Sequence, residues 1–267
     1  MTKQKHGWLT NPARRLRRDR ANTFTDQNCS ELITKIDTIP EYISSKLPEH
    51  LDPLIRTRDK SMIALNWIFF KRGNEILKLK RKDLALSETQ LLVTFKIQKK
   101  TKSYKICPGC DTRNGASNKF CRECKTDLQL FPVTKLGEEK TVTKRKTLGN
   151  RFAKYVVEWL EKFDIQTKEK EAWIFPSLRV VFNHAYFDFL SEKPMTIQNW
   201  DRILKRLDPK MTSCLFRYAG AEKYLNLGYS ERELKSIGDW ESIRMPEIYA
   251  ERKGLSQAER RFAEDTR

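Results

Sequence analysis

Near its carboxyl end the chain reads Ser213-Cys214-Leu215-Phe216-Arg217-Tyr218, then Gly238-Asp239-Trp240, then Pro246-Glu247-Ile248-Tyr249. A helix is predicted from Cys214 to Leu227, because Gly228 follows its last turn, where left-handed backbone is common. Ser230 and Glu233 have the spacing of a capping box, which predicts a second, short helix. The stretch therefore carries an arginine on one helix, an indole just after the next helix and a phenol nine residues later.

Upstream of this stretch, hydrophobic spacing predicts more helices and a small sheet. A buried helix is expected from Arg58 to Phe70, with the next helix capped by Asn74. Strands are expected across 91–97 and within 128–147, where β-forming residues recur. Helical spacing is also shown by a set of large apolar residues: Phe152, Tyr155, Val156, Trp159, Leu160 and Phe163. Together these elements predict an α+β fold, mostly α, with a small antiparallel sheet.

The chain of 267 residues is strongly basic, with a formal net charge of +18. Between Lys71 and Lys154, 22 Lys and Arg residues stand against 8 Asp and Glu residues. Such a dense basic block is typical of a surface that binds a polyanion, although a lysine-rich surface that serves only solubility is the alternative. No apolar run reaches the ~18 residues of a membrane span, and no signal-type apolar core is found, so we expect a cytoplasmic, nucleoid-associated protein that does not bind membranes.

Four of the six cysteines form two C-x2-C knuckles with ten residues between them: Cys107, Cys110, Cys121 and Cys124. Each knuckle supplies two sulfurs from a tight turn, so the pair can surround one tetrahedral metal. Disulfides are the rival interpretation, but they are rare in cytosolic proteins. The sequence predicts a structural Zn²⁺ with four protein ligands, whose binding supplies folding energy to a small ribbon. Cys29 and Cys214 lie outside this spacing.

The polar and aromatic residues at the carboxyl end, together with an upstream arginine, resemble the tyrosine recombinase (phage integrase) family. In that family an arginine ends a buried helix and a glutamate follows three residues later, as Arg72 and Glu75 do here. The family's second arginine is matched by Arg217. Its third conserved motif is matched by Trp240, and the position of its nucleophile by Tyr249. The inserted cysteine knuckles are similar to integrases of archaeal type.

The resemblance implies DNA cleavage and rejoining through a 3′-phosphotyrosyl intermediate, with no ATP and no catalytic metal. Guanidinium forks at Arg72 and Arg217 suit the two non-bridging phosphate oxygens. Trp240 offers an indole N–H, and Tyr249 is the expected nucleophile. The family also uses a lysine from a strand hairpin, and this lysine is expected to protonate the leaving oxygen. Three lysines lie close enough in sequence, of which Lys99 is favoured over the others: Lys96 and Lys100.

The chain departs from the family at Cys214, which stands where a histidine is usual. A thiol is a weak hydrogen-bond donor, so three outcomes are open. The enzyme tolerates the loss of the histidine, its activity is reduced, or the protein binds DNA without cleaving it. The family resemblance therefore leaves two functions open. One is a site-specific recombinase or integrase, and the other is a catalytically impaired DNA-binding or regulatory protein. A third possibility, an unrelated zinc-ribbon nucleic-acid module, has only the cysteines and the charge in its favour.

The resemblance also implies a domain organisation. Residues 54–256 are expected to form the catalytic domain, with a zinc-ribbon insert at 105–128. Residues 1–53 are expected to be a basic arm with a short helical segment, in place of a full core-binding domain, and 257–267 a charged tail. The expected partner is double-stranded DNA, bound by a homo-oligomer that works as a tetramer on paired sites. The basic arm and the ribbon are expected to help hold the DNA.

Overall fold

The computed structural model describes residues 24–40, 42, 47–98, 102–136, 139–181 and 184–251. Most of the predicted basic arm and all of the predicted charged tail lie outside the described residues. Within them the structure contains eight α-helices: α1 (Asp26–Thr38), α2 (Asp52–Phe69), α3 (Gly73–Leu77), α4 (Ala153–Gln166), α5 (Ile197–Leu207), α6 (Ser213–Asn226), α7 (Glu231–Gly238) and α8 (Arg244–Glu251).

Short strands form three antiparallel sheets among the described residues. The strands are β1 (Leu84–Leu86), β2 (Gln90–Gln98), β3 (Lys102–Ile106), β4 (Arg113–Gly115), β5 (Thr134–Leu136), β6 (Glu139–Thr147), β7 (Ser177–Val181) and β8 (His184–Asp188). The sheets have the orders β1-β2-β6, β4-β3-β5 and β7-β8. The predicted α+β class, mostly helical with small antiparallel sheets, is confirmed.

Helix α2 is the central element of the helical unit. Its residues from 61 to 69 are buried without exception, because α1, α4 and α6 pack around it. A helix surrounded on all sides needs apolar residues at nearly every position, as the sequence between Met62 and Phe69 supplies. The helix ends at Phe70, which takes a left-handed φ of 38°.

The chain divides into two compact units. One contains residues 1–93 and 144–267, and within its described part lie all eight helices. The other contains Thr94–Thr143 and includes the sheet β4-β3-β5 and the two cysteine knuckles. The predicted insert at 105–128 falls inside this second unit.

Three local features of the structure were not predicted from the sequence. Helix α1, within the predicted short helical segment, begins at Asp26, because Thr25 and Asn28 form a capping box. Helix α3 begins at Gly73 with Arg72 as its N-cap, so the predicted cap at Asn74 is wrong. The hairpin β7-β8 had no sequence-based prediction. Among the described helices, none is both long and apolar enough to cross a membrane.

Candidate functional site: an arginine–tryptophan–tyrosine cluster and a cysteine centre

Arg217 lies on α6 and is buried, with 8% of its side-chain surface exposed. Its Nη1 donates to the carbonyl oxygen of Phe70 at 3.3 Å, and its Nη2 donates to that of Gly238 at 2.9 Å. Phe70 caps the end of α2, and Gly238 is the last residue of α7. Two helix C-termini therefore present carbonyls, and the negative ends of their dipoles, to one guanidinium.

The close approach of these two helix ends depends on glycine. A Cβ added at Gly238 would lie 1.8 Å from the Trp240 ring, and a Cβ at Gly220 would lie 2.3 Å from Phe70 Cβ. Neither neighbour is a flexible chain end, so neither can yield. The two glycines are therefore needed to bring the tryptophan and the end of α2 against the buried arginine.

Trp240 lies against both the arginine and the tyrosine of the predicted site. The Arg217 Cζ atom is 4.4 Å from the centroid of the indole ring, a distance typical of a cation–π contact. The Tyr249 ring centroid lies 5.6 Å from the same indole. These three residues, which are separated in sequence, therefore form a single contiguous cluster in space.

Tyr249 lies on α8 and is 2% exposed. It packs against Tyr218 as well as Trp240, with the Tyr218 and Tyr249 ring centroids 5.7 Å apart. A phenol this deeply buried is kept from solvent in the structure described. If Tyr249 is the nucleophile that the family resemblance implies, its phenol reaches a phosphate only after α8 moves.

Arg72, the second predicted arginine, shares a carboxylate with Arg217. It is 53% exposed, and its Nη1 lies 2.7 Å from Glu75 Oε1, whereas Glu75 Oε2 lies 3.9 Å from Arg217 Nη1. Burial and the positive charge of Arg72 lower the pKa of Arg217, and Glu75, Tyr249 and Asp239 oppose this effect. A guanidinium remains charged at any working pH, so two cations meet in one site.

Of the remaining predicted site residues and hairpin lysines, the structure describes two: Cys214 and Lys96. Cys214 is exposed in the first turn of α6, three residues before Arg217 and thus about one helical turn from it. Lys96 is half-buried on β2 in the second unit. The favoured hairpin lysine, Lys99, lies outside the described residues, as does Lys100, so the identity of the general acid stays a prediction.

Two charged residues of the cluster had no sequence-based prediction. Lys71 is buried and forms an ion pair with Asp239. The pKa of Lys71 is lowered to about 8, chiefly by burial and also by the charges of Lys144 and Arg217, while Asp239 opposes the shift. Lys71 and Asp239 are 168 residues apart in sequence, and no periodicity or motif links them.

The four cysteines of the knuckles meet in one place. The Sγ atoms of Cys107, Cys110, Cys121 and Cys124 all lie within 4.8 Å of one another. The Cys107–Cys124 and Cys110–Cys121 pairs are 3.3 and 3.6 Å apart. Around a tetrahedral metal with bonds of ~2.3 Å, sulfurs stand about 3.8 Å apart, so the cluster has the size of a metal cage.

Both knuckles have the same backbone conformation. The amide N–H groups of Cys107 and Cys121 each donate to the carbonyl oxygen five residues later, at 3.1 and 2.8 Å. Asp111 and Lys125, each four residues after those cysteines, have left-handed φ values of 52° and 62°. Two equivalent tight turns thus bring two sulfurs each to the same point.

The surroundings of Cys121 favour its thiolate. Burial opposes ionisation, but the backbone N–H groups of Cys124 and Glu123 and the side-chain amide of Asn114 outweigh it and lower the pKa of Cys121 to about 6. The thiolate is the form that binds metals. The four sulfurs, gathered within 4.8 Å of one another, therefore fit a structural metal held by four protein ligands.

Comparison with known proteins gives structural neighbours only. No family model and no curated protein matches the chain. The chain is similar to the XerH site-specific recombinase bound to difH substrate in a pre-cleavage complex, with a TM-score of 0.47, 15% identity and coverage of 85% of this chain and 49% of that chain. It is also similar to XerH bound to palindromic difH substrate in a post-cleavage complex, with a TM-score of 0.49, 14% identity and the same coverage. The chain spans about half the length of these structures.

Proposed function

We propose that this protein is a site-specific DNA recombinase or integrase that cleaves and rejoins DNA through a 3′-phosphotyrosyl intermediate. The observation that supports it best is the cluster of Arg217, Trp240 and Tyr249, with Arg72 tied to the same site through Glu75. These residues come from four separate segments of the chain. The cluster therefore contains four of the residues that the motif resemblance selected, which supports the proposal.

The proposed reaction is a phosphoryl transfer with no net loss of phosphodiester bonds. The Tyr249 oxygen forms a bond to phosphorus as the bond from phosphorus to the 5′ oxygen breaks. The phenol proton passes to solvent water, and the leaving 5′ oxygen gains a proton, which we assign to a hairpin lysine, Lys99 being favoured. Rejoining reverses the same steps, so neither ATP nor a catalytic metal is required.

Arg217 is prepared for its role before DNA binds. Two carbonyls, one carboxylate and one indole face already surround its guanidinium, so little reorganisation is needed when negative charge develops on the phosphate. Arg72, in contrast, is half-exposed and can turn towards the incoming DNA. Removing a single positioned donor of this kind typically costs ~2.7–4 kcal/mol of transition-state stabilisation.

A second candidate is a DNA-binding or regulatory protein with impaired catalysis. Two observations favour it: Cys214 replaces the histidine expected from the family, and Tyr249 is buried. Under this candidate the basic surface still binds DNA, but the tyrosine serves only as part of the core. The two candidates differ in one measurable product, the covalent adduct.

We further infer that Zn²⁺ is held by Cys107, Cys110, Cys121 and Cys124. Zinc bound by four thiolates has no open position for a substrate, so its contribution is to the folding of the ribbon. The proposed partner is double-stranded DNA, bound by four protomers on paired sites in the cytoplasm. The proposed domain boundaries are those predicted from the sequence, with catalytic residues within 54–256 and the ribbon at 105–128.

The covalent adduct provides the test. The protein is incubated with nicked duplexes whose sequence around the nick is randomised, and denaturant-resistant, protease-sensitive protein–DNA adducts are captured and sequenced. We expect an adduct with the wild type and none with Tyr249→Phe. Tyr218→Phe, which removes the hydroxyl of the neighbouring tyrosine, is the matched control and should still form it. An adduct that persists in Tyr249→Phe would exclude Tyr249 as nucleophile, and its absence from the wild type would support the binding-only candidate.

A further inference from the structure

The buried arginine is held by two backbone segments that are themselves joined by an ion pair. Arg217 donates to the carbonyls of Phe70 and Gly238. The residue after each of these is charged: Lys71 follows Phe70, Asp239 follows Gly238, and the two side chains form an ion pair. The ammonium and the carboxylate therefore connect the same two helix ends that grip the guanidinium.

The second oxygen of Asp239 extends the connection to a third element. Lys144 Nζ, on β6, lies 2.9 Å from Asp239 Oδ1 and also donates to the Ser236 carbonyl oxygen at 2.9 Å. Lys71 is 1% exposed and Asp239 is 9% exposed, whereas Lys144 is 23% exposed. One carboxylate thus bridges the ends of α2 and α7 and the β6 strand.

We propose that Asp239 is a positioning residue for catalysis, whose bridging carboxylate holds Arg217 and Trp240 in the geometry that a scissile phosphate requires. This proposal rests on the proposed function. In this scheme Asp239 contributes no atom to the reaction itself. It acts through the turn that carries the Gly238 carbonyl on one side and the Trp240 indole on the other.

Stability alone does not account for this arrangement. Asp239 has a left-handed φ of 52°, a conformation that glycine adopts at lower cost. Burying an ammonium and a carboxylate carries a desolvation penalty that the pairing only offsets, so a buried ion pair is weak grounds for inferring stability. The lowered pKa of Lys71, to about 8, shows that burial weighs heavily at this site. A costly residue pair beside a proposed catalytic arginine points to orientation instead.

Asp239→Asn is the direct test, because asparagine keeps the size of the side chain and tolerates left-handed backbone while removing the charge. Single-turnover cleavage of a nicked duplex by Asp239→Asn is expected to fall by about tenfold to a hundredfold, the scale of a small misplacement of catalytic groups. The dissociation constant for the same duplex should change by less than about twofold. Asp164→Asn is the matched control, since it breaks the Arg81–Asp164 ion pair elsewhere in the helical unit and should leave cleavage unchanged.

A double-mutant cycle shows whether Lys71 and Asp239 act together. Lys71→Met removes the buried ammonium with little change of volume. If the pair acts as a unit, Lys71→Met/Asp239→Asn should cleave no more slowly than the slower single variant. Losses that multiply in the double variant would overturn the proposal. If Asp239→Asn fails to fold, Lys144→Gln provides a milder variant, because it changes the more exposed end of the bridge. Lys144→Arg keeps the positive charge and should cleave faster than Lys144→Gln.

The position of Trp240 is measured without any reaction. The indole ¹⁵N–¹H resonance of Trp240, assigned by its loss in Trp240→Phe, should shift in Asp239→Asn and Lys71→Met but not in Asp164→Asn. This readout separates the two proposals, because a wild type that forms no DNA adduct defeats the proposed function while the resonance still reports the positioning. An unshifted resonance, or wild-type cleavage by Asp239→Asn, would overturn the positioning role.

Discussion

At the scale of single residues, the site is organised around a buried guanidinium. Arg217 has backbone carbonyls on one side, the Glu75 carboxylate on another and the Trp240 ring against its face. The family resemblance led us to expect Arg217, Trp240 and Tyr249 close together, and the Trp240 ring packs against both of the other side chains. The environment that holds them is made of distant backbone atoms, which no spacing rule reports.

Lys71 gives a pH prediction at this scale. Its pKa is lowered from 10.5 to about 8 by burial, with Asp239 opposing and Lys144 and Arg217 adding to the shift. Between about pH 8 and 10.5 the unfolded chain therefore binds more protons at this position than the folded chain, so the contribution of Lys71 to the free energy of unfolding rises with pH across that window. We expect the wild type to gain stability relative to Lys71→Met between about pH 8 and 10.

Urea denaturation of both proteins at a series of pH values measures this difference. The comparison with Lys71→Met cancels the titration of the other lysines and tyrosines. A difference between the two proteins that stays constant from about pH 7 to 10 would contradict a lowered pKa for Lys71.

At the scale of elements, local chemistry decided which predictions succeeded. The capping box at Ser230 and Glu233 predicted the start of α7 correctly, because both partners lie within one turn. The start of α3 was missed because Arg72 is an unusual N-cap, and the group that stabilises the turn is the Glu75 carboxylate, which accepts from the Arg72 amide. The hairpin β7-β8 was missed because its residues, including Arg179 and Asp188, alternate less clearly than those of β2.

The cysteine centre yields an element-scale prediction. The purified protein is expected to hold one zinc per chain, released when its thiols are titrated with a mercurial and absent from Cys121→Ser. Removing the metal should abolish the order of the ribbon and leave the helical unit folded, because the two are separate compact units. Metal analysis and hydrogen exchange measure the two effects. Cys29→Ser, which changes a cysteine outside the knuckles, should retain the full zinc content.

At the scale of the whole molecule, basic residues clearly outnumber acidic residues in the second unit. Residues 94–143 contain 11 Lys and Arg against 5 Asp and Glu. Exposed aromatic and aliphatic side chains accompany these charges, among them Phe120 and Leu130. The basic character of this unit was predicted from composition alone. The exposure of these apolar side chains depends on the fold of the ribbon, so it could not be predicted from composition.

The proposed role of the ribbon in DNA binding predicts a change in salt dependence. Each DNA phosphate that the protein no longer neutralises reduces the slope of log affinity against log salt by about 0.9. Replacing residues 106–127 by a short Gly-Ser link should therefore weaken DNA binding at low salt and flatten the slope by the equivalent of about two to four phosphates. The intact chain with Arg113, Lys119, Arg122 and Lys125 changed to Gln keeps the cysteine centre and should show the same flattening. If both variants bind DNA with the wild-type slope, the ribbon neutralises no phosphates and the electrostatic affinity comes from basic residues elsewhere in the chain.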